Sequence, residues 1–202
     1  MFYRKLFIVI SIFMLSIASW INYINMEKSS ARDTLSTSAI RFHVLANSDS
    51  IADQQLKMAI KEKVVDYIYT NTGDFTNINE ARNFIVSHDD EILNLGRNTM
   101  TSMGYNYSIT SHFGREIFPT KSYGDVVFPS GEYTSYTLSI GNGKGHNWWC
   151  VLYPPLCFVD ASTGVVPESS KERLQESLTN REYQSVVKYR FKYLTFLNKY
   201  LP

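Results

Sequence analysis

Residues 143–160, GKGHNWWCVLYPPLCFVD, hold both cysteines of the chain, two of its three tryptophans and two of its six prolines. This stretch constrains the fold more tightly than any other. Its aromatic richness over HNWWCVLYPPLCF, 146–158, suits a strand. Successive side chains of a strand point to opposite faces, so Trp148 and Trp149 take one face each, burying up to roughly 150–250 Å2 apiece. Pro154 and Pro155 lack the N–H that a ladder needs and bend the strand. Three glycines in GNGKG, 141–145, make a tight turn with positive φ. They lack the G-x-x-x-x-G-K-[ST] spacing of a phosphate loop. The whole reads as a turn leading into a central strand.

Whether Cys150 and Cys157 can be oxidised depends on compartment. The N-terminus opens with Arg4 and Lys5, followed by an apolar run from Leu6 to Ile21 with an S-x-A pattern at Ser16 to Ala18. That is the pattern of a cleaved signal peptide or of an uncleaved signal anchor, and the sequence leaves both open. Either way, basic residues before the segment place the rest of the chain outside the cytoplasm. With Arg4 and Lys5 set aside, the remaining basic side chains fall one short of the 19 acidic ones. That near-neutral balance argues against nucleic-acid binding.

Residues 22–38 are polar and Ser/Thr-rich and read as a tether, with a single domain over 39–202. Ile40, Phe42 and Val44 alternate with Arg41, His43 and Leu45, which predicts a strand with one buried face. Ser50 and Asp53 then stand as in a capping box, and Ala52, Leu56, Ile60, Val64 and Ile68 line one side of a helix to about Tyr69. A second helix is predicted from Asn77 to Gly104, with Ile78, Ala81, Ile85, Ile92 and Leu95 on its apolar face. Segments 105–114, 131–141 and 146–158 read as three strands of an antiparallel meander. The connection at 115–130, with its F-P pairs, is expected to be ordered by aromatic anchors. A helix capped by Ser169 and Glu172 comes next, and the alternation in 186–194 predicts a final strand. The fold class is therefore α+β, in the order β-αα-βββ-α-β: a mostly antiparallel sheet with helices on one face, preceded by the signal or anchor helix.

Several chemistries are open to these residues. Cys150 or Cys157 with His146 or His43, oriented by Asp160, would make a thiol hydrolase. A disulfide between the cysteines requires the chain to fold back at Pro154-Pro155, because a mere bend leaves two separate buried thiols. Metal binding is not expected, since the C-x-x-C spacing is absent. Glu116, Asp125, Glu132 and Asp160 are scattered acids, with nothing in their spacing to make them converge. His43, Asn47 and Asp49 end the first strand, where they serve either a site or simply the turn.

The blocks RFHVLANSDSIADQQLKMAIKEKVVDYI, 41–68, and FPSGEYTSYTLSIGNGKGHNWWCVLYPPLCFVD, 128–160, closely resemble the stage II sporulation protein R family of endospore-forming bacteria. The N-W-W-C…P-P-L-C run is highly specific. The resemblance implies a signalling protein, not an enzyme, with no cofactor and no metal. Such proteins are made in the forespore and exported to the space between the two sporangial membranes. There they trigger a membrane-embedded aspartic protease of the mother-cell membrane, which processes the precursor of the early sigma factor. Partner contacts are expected from the 117–131 loop and the glycine turn, through Phe118, Tyr123, Phe128, Lys144, His146 and Asn147. The alternative for the loop aromatics is that they staple it to the sheet. The alternative function is an extracytoplasmic Cys/His cell-wall hydrolase or peptidase.

Overall fold

A computed structural model describes residues 2–72, 75, 77–157 and 166–187. The chain starts as one long helix, α1 (Phe2–Ser38). Its first part is solvent-exposed throughout and is long and apolar enough to cross a membrane. That is compatible with a signal segment or an anchor. The stretch 22–38, expected as an irregular tether, is instead the second half of the same helix. Ala31 and Leu35, four apart, are fully buried there, and this stripe is what the polar composition concealed.

Strand β1 (Ile40–Leu45) leads through a turn into α2 (Ile51–Thr72). Ser50 caps α2 by accepting the Asp53 N–H at 3.1 Å. Leu56, Ile60, Val64 and Ile68 are buried as the periodicity predicts, whereas Ala52 is exposed. The long second helix is in fact two, α3 (Ile78–Ser87) and α4 (Asp89–Ser102), broken at His88. The His88 ring stacks on Phe84, and Asp89, Asp90 and Glu91 crowd the first turn of α4. Acidic side chains in that position favour a helix start over a helix interior. Asn77 caps α3, and Gly104, at φ 81°, follows the end of α4.

The remaining elements are β2 (Ile109–Phe118), the hairpin β3 (Lys121–Tyr123) and β4 (Val126–Phe128), β5 (Gly131–Ile140), β6 (Asn147–Tyr153), α5 (Glu168–Glu176) and α6 (Asn180–Val187). The main sheet has the order β2-β5-β1-β6, with β1 parallel to β5 and the other pairs antiparallel. This corrects the meander: β1 lies between β5 and β6. Nearly every residue of β1 is buried, Arg41 and His43 included, so a central slot suits it on both faces. It also moves β6 from the centre to an edge, where the prolines that end it cost no ladder bonds.

The α+β class holds. Helices α2, α3 and α4 cover one face, packing Leu56, Ile60, Val64, Ile85 and Ile92 on Phe42, Val44, Tyr136 and Leu138. The other face carries a second core, built from the end of α1, the β3–β4 hairpin, α5 and α6. Trp148 packs into the first core and Trp149 against the second, so the two do take opposite faces. α5 begins after Pro167 with no side-chain cap, which places Ser169 inside the helix instead of at its cap. The predicted last strand starts within α6, whose final residues are Val186 and Val187; the rest of that segment lies outside the described residues.

Glu182 locks α6 to α1. It accepts hydrogen bonds from Ser30 and Thr34 of α1 and from the backbone and hydroxyl of Thr179. Although burial opposes ionisation, these donors bring its pKa down to about 2.

Candidate functional site

The turn after β1 and the glycine turn before β6 form one tip, at the end of the sheet away from α1. Gly131, which opens β5 at the other end, lies beside Arg32 of α1. A hydrogen-bond network ties the two turns together. Asn47 Nδ2 and the Ser48 hydroxyl donate to Asp53 Oδ2 at 2.9 and 2.5 Å. These bonds hold the Asp53 carboxyl below its ordinary pKa. Asn142 N–H donates to Asn47 Oδ1, and Gly145 N–H to the Ala46 carbonyl. Lys57 crosses underneath, donating to the His146 carbonyl at 2.9 Å. A Cβ at Gly145 would lie 2.2 Å from the Ser48 carbonyl oxygen, so only glycine permits the two turns to meet. Asp49 accepts from both the backbone N–H and the ring Nδ1 of His146, which lowers its pKa. The exposed rim carries Asp49, Asn142, Lys144, His146 and Ile51, the last 79% exposed.

A second polar group crosses the sheet on its other core's side. The register aligns His112 of β2, Thr137 of β5, His43 of β1 and Trp149 of β6 in one transverse row. His43 Nε2 lies 2.5 Å from Glu116 Oε2, and the Thr137 hydroxyl donates to Glu116 Oε1 at 2.9 Å. Trp149 stacks on the His43 ring at 4.6 Å between centroids. With Nε2 donating to Glu116, Nδ1 is buried without a partner among the described residues.

Burial holds the His43 pKa below 6.5, against the opposing pull of Glu116. The unfolded chain therefore takes up this proton more readily than the folded one. The folded state is undiminished above pH 6.5 and loses stability as pH falls through and below that value. Thermal unfolding of wild type should weaken more steeply from about pH 7 to pH 5 than that of His43→Gln. Equal slopes would place the sensitivity on another group.

The expected contact residues divide. Phe118, Tyr123 and Phe128 are buried, so they are not available at the surface; they staple the hairpin to the sheet. Together with Tyr133 they surround Arg41, whose guanidinium carbon lies 4.4 to 5.7 Å from the four ring centroids. Lys144 and His146 are exposed on the tip, and Asn147 is half-buried beside it.

Cys150 and Cys157 form a disulfide, with Cα atoms 5.3 Å apart, because the chain folds back through a turn at Pro154-Pro155. That leaves no thiolate for a hydrolase. Asp160 lies outside the described residues. The other acids stand in separate environments: Glu132 with Arg115 at the surface, Asp125 with Lys171 and the Val166 N–H. Among the described residues, no three His, Cys, Asp or Glu side chains are grouped to hold a metal. Sequence reasoning missed the Asp53 hub and the pairing of Asp49 with His146, both made across about a hundred residues or by a turn that only folding closes.

Comparison with known proteins gives two matches. The family profile described as Stage II sporulation protein R (spore_II_R) matches residues 36–163. "Stage II sporulation protein R" of Bacillus subtilis (strain 168) is 46% identical over 149 residues, which is 74% of this chain and 65% of that relative, a little under two thirds of its length. No solved structure matches.

Proposed function

The chain belongs to the stage II sporulation protein R family, and from that premise we propose that it is an exported signal that activates a membrane-embedded aspartic protease during sporulation. It crosses from the forespore into the intermembrane space by way of the apolar part of α1. There it meets the protease of the mother-cell membrane, which then cleaves the early sigma-factor precursor. The single observation that carries this reading is the tip. It is a hydrogen-bonded surface with an exposed rim, set at the end of the sheet opposite the helix that leads to the apolar segment. A surface ordered before contact spends little entropy on binding.

The test is an immunoblot for the sigma-factor precursor in sporulating cells that lack the chain. Complementation uses wild type or a rim variant, Lys144→Glu with Asn142→Asp and Ile51→Glu. Precursor should accumulate uncleaved without the chain, wild type should restore cleavage, and the rim variant, present at normal level, should not. Normal cleavage in the absence of the chain would overturn the proposal. Full activity of the rim variant would remove the tip as the contact.

A further inference from the structure

The two edges of the main sheet are treated differently. At the β6 edge, the strand ends at Pro154-Pro155 and the chain returns so that Leu156 N–H donates to the Val151 carbonyl at 3.1 Å. The disulfide fixes that return. Among the described residues the β2 edge has no such guard. Its ten residues run in unbroken register along β5, without a bulge, a proline or a lysine. Among the described residues no strand other than β5 pairs with it. Ile117, near its end, is 81% exposed. An open row of N–H and C=O groups this long recruits another strand, which is why edges are usually blunted.

We propose that β2 pairs antiparallel with β2 of a second copy, about a two-fold axis at Gly114, joining the two sheets into one. Side-chain pairing across the seam selects this register. A two-fold perpendicular to the sheet keeps each face on its own side, so a residue and the one opposing it must differ by an even number of positions. Centred on Arg115, the pairing sets two guanidinium groups against each other. Centred on Phe113, it opposes Arg115 with Ser111 and Glu116 with Thr110, and gives Glu116 no imidazole partner. Centred on Gly114, it opposes His112 with Glu116 twice, on one face, and Arg115 with Phe113 twice, on the other. Glu116 keeps part of its side chain exposed, 26%, and His112 is exposed. The His112 ring already leans over Gly114: a Cβ there would lie 2.4 Å from its Nε2. A bare glycine at the axis thus leaves room for both imidazoles.

Oxidative cross-linking of the purified full chain in mild detergent, with copper phenanthroline, tests the register. Gly114→Cys should give a reducible dimer, and so should Ser111→Cys/Ile117→Cys, whose two positions oppose each other across the pair. Ile117→Cys alone should not, because two such residues sit about 20 Å apart along the strands. Both positive variants should exceed it at least about tenfold in dimer yield, given the short reach of a disulfide. If neither exceeds it, the proposal is wrong. The second positive variant leaves the glycine intact and guards against a folding defect at Gly114. The gel readout is independent of protease activation, so failure here leaves the activator reading untouched.

Discussion

Replacing Arg41 by alanine is expected to lower the unfolding free energy by about 3–5 kcal/mol, among the largest effects of any single change in this domain. Arg41 is fully buried on β1 and has no carboxylate beside it among the described residues. Four aromatic rings replace its hydration shell with the negative faces of their π-systems. Nε donates to the Cys150 carbonyl at 3.2 Å and Nη2 to the Tyr123 hydroxyl at 3.0 Å. Burial presses its pKa down from the ordinary arginine value, and burial likewise raises that of Tyr123. Alanine would empty the cage and leave the Tyr123 hydroxyl without this donor. The loss should lower Tm by roughly 6–20 °C in a chain of this size, read from thermal unfolding in mild detergent. Arg41→Met keeps most of the volume and removes the charge. It should cost less than half as much, since an apolar side chain of similar size can stand in for a buried charge. If methionine proved as damaging as alanine, the cation would be holding the second core together, not the packing around it.

Loss of the disulfide should cost about 2–3 kcal/mol. Its cysteines are seven positions apart. Closing so short a loop removes about 2.5 kcal/mol worth of entropy from the unfolded chain. The double variant Cys150→Ala/Cys157→Ala should therefore unfold at lower urea with an unchanged slope. It should also be cut faster by protease near 154–157, where the bridge holds the fold-back against the edge of β6. Intact chain, unfolded in urea, should take up no iodoacetamide until it is reduced. Alkylation before reduction would contradict the bridge. An unaltered midpoint in the double variant would mean that the turn and the burial of Leu156 fix the fold-back unaided.

Particular residues show where the sequence sufficed. Asn77 caps α3, Ser50 caps α2, and the four-residue spacing of Leu56, Ile60, Val64 and Ile68 marks a buried stripe. Those signals act within one or two turns of chain, so they survive in any context. Another local signal is hidden: Thr179 and Glu182 form a capping box at the start of α6, overshadowed by the alternation after it. The break at His88 is also local, with three acids after it, but continuous apolar spacing masks it.

By itself, then, the sequence determined the apolar N-terminal segment, the α+β class, most helices and strands, and the opposite facing of Trp148 and Trp149. All of these rest on periods of two or 3.6 residues and on caps. Only the tertiary structure decided that β1 enters between β5 and β6, that the end of α1 belongs to the core, and that Phe118, Tyr123 and Phe128 turn inward on Arg41. It also decided that two distant turns close into one tip. Each of those depends on which surfaces meet across scores of residues, and burial of an aromatic or of an arginine is settled by its neighbours in space, not along the chain.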